Sequence, residues 1–355
     1  MNIFSAIDDF HSKNGCKFQE YEGINLPLSY EEGIEKEIQL MQSSAGIIDL
    51  KAFTLVSMEG PEAATFLQGM VSNDVLQIKI GEKQSNLLSH PKGKILYHLE
   101  VLRTGEEEYL ILTNAGEGVF VGGYLDHFHI REDLEIKLLT PDYLRCDLIG
   151  PSGERALCDL GYEHQMRWKF QNHPMVSVQS HIGTIPRFVN IVPLTIFAEF
   201  LKLLLKTEHN LGLVGFEAYD EIRIDVGIPR AGVDYTQDNF PQEAALMDHI
   251  SYKKGCYIGQ ETHARMYHRG HPNWQSVAIA VPINLKLQVG SDLFRGQDKI
   301  GKVTSLSRIE KDGQRRGIAF IKYQYVKDQV PLAIRADEDE IIEQSPLSTF
   351  QISTG

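Results

Sequence analysis

Lys254-Gly255-Cys256-Tyr257-Ile258-Gly259-Gln260-Glu261 holds a dense set of reactive side chains. One thiol lies between two glycines and beside a lysine, with a phenol, a carboxamide and a carboxylate close behind. Two glycines so near each other cost backbone entropy and point to positive φ or a close backbone approach. Lys254 and the bases around it favour thiolate over thiol, and the thiolate is both nucleophile and metal ligand. Cys256 therefore reads as a reactive or ligating cysteine, or as a buried thiol acting as a small hydrophobe. Both readings stand. Its spacing to His263, His268 and His271 matches no closed zinc site, so no protein-bound metal is expected. Neither GxGxxG nor GxxxxGK[ST] occurs, which argues against a Rossmann or P-loop enzyme.

A second candidate lies upstream, in Glu221-Ile222-Arg223-Ile224-Asp225-Val226-Gly227-Ile228-Pro229. Asp225 has apolar neighbours, and a carboxylate there is costly without a paired donor. The N–H/NH₂ edge of a pterin or guanine would satisfy both oxygens at once. An ion pair with Arg223 or Arg230 would also do so.

These residues need elements to hold them. Ile34, Ile38 and Met41 predict a helix over 30–42, and Ala63, Phe66, Leu67, Met70 and Val71 another. Strands are expected at Leu55–Met58, Lys94–Val101, Tyr109–Thr113, Ile136–Leu139 and Arg145–Ile149. Helices are expected over 117–130 and 195–206, and Tyr219–Val226 fits helix or strand. Strand, Gly-Pro and helix follow one another twice, at 55–71 and 144–158, a hint of two related α+β units. After Pro272, short β-rich runs alternate with glycine, which predicts a small antiparallel barrel or sandwich. The division expected is an N-terminal α+β region over 1–140, a second over 141–271, and a C-terminal β-barrel over 272–355.

The 355 residues carry 48 acids against 35 bases, a formal charge of −13 that argues against general affinity for nucleic acid or anionic membranes. Bases nevertheless concentrate in 253–271 (Lys253, Lys254, Arg265, Arg269), opposed by the acidic run Asp337-Glu338-Asp339-Glu340. Such an island fits a local anionic ligand or a solvated loop. Four scattered cysteines, no signal peptide and no apolar span predict a reduced, cytoplasmic protein.

The octapeptide 254–261 resembles the signature of the folate-binding family named for YgfZ, related to the T-protein (aminomethyltransferase) of glycine cleavage. The similarity continues through Gly60-Pro61-Glu62-Ala63-Ala64, Phe66-Leu67-Gln68-Gly69, Asn73-Asp74-Val75, Gly227-Ile228-Pro229-Arg230, Pro241-Gln242-Glu243-Ala244 and Gly301-Lys302-Val303-Thr304-Ser305. The resemblance implies a three-domain T-protein-like fold around a tetrahydrofolate pocket. It implies a folate-binding accessory role in iron–sulfur cluster assembly or repair, including cluster-dependent tRNA modification. Cys256 would be the working thiol with Lys254 beside it. Asp225, Tyr257, Gln260, Arg223 and Asn73 would contact the folate. Iron–sulfur proteins or their assembly factors would be partners, with tRNA reaching the 253–271 segment. The alternative is folate-dependent aminomethyl transfer. Two departures bear on it. The acidic pair of T-proteins is Tyr97-His98 here, which removes an acid/base carboxylate. The glutamate that T-proteins place on the pterin is the shorter Asp225.

Overall fold

The computed structural model describes residues 4–21, 23–327, 332–333 and 342–347. The acidic run 337–340 and most of the C-terminal tail lie outside the described residues. Two compact units emerge: Met1–Asn86 with Tyr97–Tyr219, and Leu87–Leu96 with Asp220–Gly355.

The first unit begins with α1 (Ser5–Lys13), the hairpin β1 (Lys17–Tyr21) and β2 (Ile24–Ser29), then α2 (Ile34–Ser43) and β3 (Ala45–Asp49). One pattern then occurs twice. Its first copy is β4 (Phe53–Glu59), α3 (Ala63–Met70), β5 (Lys83–Ser89), β6 (Ile95–Arg103), β7 (Glu108–Ala115), α4 (Gly118–Phe128) and β8 (Glu135–Leu138). Its second is β9 (Tyr143–Ile149), α5 (Gly153–Asp159), β10 (Arg167–Phe170), β11 (His173–Ile182), β12 (Ile185–Pro193), α6 (Leu194–Leu204) and β13 (Leu211–Leu213). The sheet orders are β5-β6-β7-β4-β8 and β10-β11-β12-β9-β3-β13. Exchanging each strand for its counterpart turns one order into the other, with β3 let in between β9 and β13.

The two Gly-Pro dipeptides thus mark an internal duplication. Gly60 and Gly150 close the matching strands at φ +142° and +138°. A Cβ would meet the Asp133 carbonyl at 2.5 Å in one copy and the Ser44 carbonyl at 2.3 Å in the other. Glycine alone satisfies both the dihedral and the space.

Strand alternation sends Leu55, Leu110 and Leu112 of one sheet against Val178, Val189 and Ile191 of the other, so the sheets pack face to face. On the outer face of the second sheet, Phe10, Leu157, Phe197 and Phe200 form a further core. α6 buries Ile196, Phe197, Phe200, Leu201 and Leu204, the single apolar stripe its sequence predicts. The segment left open between helix and strand is helical, α7 (Phe216–Asp225).

In the second unit, α8 (Gln260–Arg269) precedes β14 (Trp274–Pro282), β15 (Asp292–Arg295), β16 (Asp298–Lys311), β17 (Gln314–Lys322), α9 (Tyr323–Lys327) and β18 (Glu343–Pro346). These strands form an antiparallel sheet ordered β15-β16-β17-β14-β18. Of the barrel or sandwich expected after Pro272, the described residues show the antiparallel sheet and no closed barrel. β15 and β18, four residues each, stand at the two ends of that order, with only the isolated bridges Phe294 to Ala333 and Leu332 to Ile342 beyond them. Among the described residues no helix is long and apolar enough to cross a membrane.

Candidate functional site

In the second unit the octapeptide is pinned from its inner side. Tyr257 is buried with Leu87, Ile95, Tyr235, Leu246 and Ile250. His263, one turn into α8, is fully buried, with Nε2 2.7 Å from the Gly93 carbonyl and Nδ1 3.0 Å from the Tyr257 hydroxyl. A carbonyl only accepts, so Nε2 carries the proton and Tyr257 O–H donates to Nδ1. Burial pushes the His263 pKa down, consistent with this neutral imidazole, and pushes that of Tyr257 up. Gly259 stands at φ +87°, where a Cβ would come 2.9 Å from the His90 carbonyl. That is the close approach its sequence promised; Gly255 faces open space.

Lys254 is buried, with its ammonium 5.0 Å from the Tyr257 ring centroid. Gln260 Nε2 donates to the Gly255 carbonyl at 3.3 Å, closing the loop on itself. Cys256 is exposed, which removes the buried-hydrophobe reading.

Arg223 is committed elsewhere. Its guanidinium donates to Asp220 at 2.7 Å, Asp234 at 2.5 Å, Ser305 at 2.9 Å and the Ile228 carbonyl at 3.1 Å. It ties α7 to β16 and is buried. Asp225 is not buried: its side chain is 37% exposed and lies 3.6 Å from Lys311 Nζ. Its neighbours Ile222 and Ile224 take the buried face of α7. The carboxylate therefore meets neither Arg223 nor a dry cavity.

In the first unit, Asn73 organises the turn after α3. Its Nδ2 donates to the Ser85 carbonyl at 3.2 Å and its backbone N–H to Asn86 Oδ1 at 3.0 Å.

The first unit also holds a charge cluster that the sequence reading missed. Glu100, on β6, faces three cations. Lys83 pairs with its Oε1, Arg187 Nη2 lies 3.2 Å away and Arg145 Nη1 3.2 Å away. Arg145 also grips Asp147 through two bonds of 2.9 and 2.8 Å. Burial opposes the charge on Glu100, but Lys83, Arg187 and Arg145 outweigh it and hold its carboxyl well below the usual range. Two residues earlier, on the same face of β6, burial and Lys83 lower the His98 pKa to about 4 against the pull of Glu100. His98 is a neutral imidazole at pH 7. An aromatic series adjoins: Arg145 lies 5.6 Å over Phe53, Phe53 is 6.1 Å from Phe216, and Phe216 5.7 Å from Tyr219. The signal was present: His98 and Glu100, like Arg145 and Asp147, are polar at i, i+2 on core strands.

The cluster gathers cations, carboxylates and aromatic rings of the kinds that contact planar, partly anionic ligands, with the His98 imidazole among them. Three cations against two carboxylates attract negative charge, the aromatic rings offer a stacking face, and Glu100 and Asp147 accept from N–H edges.

Among known proteins, an "Aminomethyltransferase" of Corynebacterium aurimucosum is 25% identical over 318 residues, covering 85% of each chain. One from Bacillus cereus is 25% identical over 345 residues, covering 93% of each. The crystal structure of the glycine cleavage system aminomethyltransferase T from Bartonella henselae shares the fold, with TM-score 0.85 over 97% of each chain at 22% identity. These matches overturn the iron–sulfur accessory role, and the tRNA modification attached to it, that the octapeptide implied. Eight loop residues weigh less than relatives aligned along nearly the whole chain and named for aminomethyl transfer. The model of the GCVT N-terminal domain matches residues 7–188, just over half of the 355 residues, and the chain belongs to that family.

Proposed function

We propose that the protein is a folate-dependent aminomethyltransferase whose acid/base group is His98. The reading rests on one observation: a neutral imidazole stands beside the ionised Glu100 at the position where the T-protein resemblance expects an acidic pair. The neighbouring residues fit tetrahydrofolate. Phe53, Phe216 and Tyr219 would stack on the pterin or benzoyl ring, and Arg145, Arg187 and Lys83 would take its carboxylates. Bound tetrahydrofolate supplies the amine nitrogens that accept the one-carbon unit. His98 accepts a proton at its imidazole, and Glu100, kept charged by three cations, stabilises the imidazolium so formed. Asp225, part-exposed beside Lys311, is retained as a candidate pterin contact, and the octapeptide as the mark shared with the YgfZ branch.

The test is product formation. A carrier protein bearing an aminomethylated lipoyl group, mixed with tetrahydrofolate and this protein, should yield methylenetetrahydrofolate and ammonia. His98→Ala should lower the rate at least tenfold. No product from the wild type at saturating folate would reject the reading.

A further inference from the structure

Cys158, His164 and Glu154 lie outside everything assigned above. Cys158, near the end of α5, is partly buried against the core around Leu157. His164 Nε2 lies 3.8 Å from its Sγ, and His164 Nδ1 lies 3.0 Å from Glu154 Oε1. The two ring nitrogens thus face a thiol on one side and a carboxylate on the other, the order of nucleophile, base and orienting group. Glu154 accepts from Nδ1–H, which leaves Nε2 as the free lone pair facing the thiol. His164 also lines a cavity of about 440 Å³, together with Tyr162, Arg167, Ser177 and Gln179. The Tyr162 ring lies 5.6 Å from the imidazole. A cysteine serving only as core filler needs no imidazole at its sulfur, and this imidazole reaches from the thiol to a cavity wall.

We propose that Cys158 is a base-assisted nucleophilic thiol that exchanges with small neutral or cationic disulfides, with His164 as its proton acceptor and Glu154 as the positioning residue. Cys158 Sγ attacks one sulfur of R–S–S–R. The Sγ–S bond forms as the S–S bond breaks, and the thiol proton passes to His164 Nε2. It goes on to the departing thiolate, giving Cys158–S–S–R and RSH. The disulfide is the oxidant and no other is needed. Burial, with Glu154 and Asp159, pushes the Cys158 thiol up, so the resting group is a thiol and the proton acceptor governs its rate. Asp159 pairs with His209 at 2.9 Å, and Arg155 is turned to Ser152 Oγ at 3.3 Å. Arg167, on the cavity wall, is paired with Glu108, so the carboxylates of Glu154 and Asp159 set the charge near the thiol and disfavour an anionic reagent.

Cystamine and glutathione disulfide separate the outcomes, with adduct at the Cys158 peptide read by mass spectrometry across pH. The wild type should react with cystamine at least tenfold faster than with glutathione disulfide. Its log rate should bend with pH. His164→Gln should lose at least tenfold in rate and lose the bend, and Glu154→Gln should lose less. Adduct at exposed Cys256 in the same samples checks the reagent, and a thermal melt checks folding. No wild-type adduct at Cys158, or a folded His164→Gln variant with wild-type rate and profile, overturns the proposal. If His164→Gln does not fold, Glu154→Gln decides: an unchanged rate and profile overturns it.

Discussion

His263 and Tyr257 share one hydrogen bond whose direction is set by a third group, the Gly93 carbonyl that takes the Nε2 proton. The octapeptide is therefore held by a chain of donors in which no member can be reversed. Replacing His263 with phenylalanine leaves a buried hydroxyl and a buried carbonyl without their ring partner. A loss of about 2–4 kcal/mol in unfolding free energy is expected, against about 1 kcal/mol for Tyr257→Phe. Urea titrations of the two variants and the wild type give both numbers; equal losses would contradict the assigned direction.

Acidification should weaken the fold through His98. Its pKa is about 4 in the folded protein, against an ordinary 6.5. Below the ordinary value the unfolded chain takes up a proton that the folded chain refuses. The stabilisation is complete above that value and declines as pH falls toward the folded one. The decline from His98 amounts to at most about 3 kcal/mol. His263, also pushed down, acts in the same direction. Unfolding free energies measured at pH 7.5 and 4.5 should fall less steeply for His98→Gln than for the wild type.

Glu100 neutralises three cations that no solvent reaches easily. Glu100→Gln should cost about 3–5 kcal/mol, since it leaves Lys83, Arg145 and Arg187 facing one another around a neutral amide. Added chloride or sulfate should restore part of the melting temperature by supplying the missing charge. A melting temperature equal to the wild type in low salt would show that the cluster does not depend on this carboxylate.

Gly60→Ala and Gly150→Ala should both destabilise, because each places a Cβ within 2.5 Å of a carbonyl oxygen at a left-handed φ. Losses above about 2 kcal/mol are expected, beyond the usual glycine-to-alanine strain. Thermal melts of the two variants should shift together if the copies are equivalent.

Folate affinity tests Asp225 separately from His98. Isothermal titration with tetrahydrofolate should show weaker binding for Asp225→Ala if the carboxylate meets the pterin. Unchanged affinity would assign Asp225 to its surface pair with Lys311 alone.

Pattern made most helices and strands legible, because α6 buries a single apolar stripe and β4 and β9 are short runs buried on both faces. The paired Gly-Pro dipeptides announced the duplication because a φ near +140° admits glycine and little else. α8 escaped notice: its polar sequence, Gln260–Arg269, buries only His263, so no apolar stripe marks it. The apolar setting read for Asp225 in sequence is not the one it has in the fold, where its side chain is 37% exposed. Adjacent residues on a helix point in different directions, and the apolar neighbours of Asp225 in sequence lie on another face. The Glu100 cluster was legible only in fragments, as the polar pairs His98/Glu100 and Arg145/Asp147. Its members come from β5, β6, β9 and β12; sheet order makes β5 a neighbour of β6 and β9 of β12, and the packing of one sheet on the other brings the two pairs into reach.

The strand β3 imposes a schedule on biosynthesis. All five of its residues are buried, yet its two neighbours, β9 and β13, lie far downstream. The sheet of the first copy can close from residues already made, while β3 leaves the ribosome roughly a hundred residues before β9. At ordinary translation speeds that is a wait of roughly 5–20 s with an apolar strand unpaired on both edges. Until its second half exists the nascent chain thus carries an unsatisfied strand at residues 45–49, a segment a chaperone acting on it would have to shield.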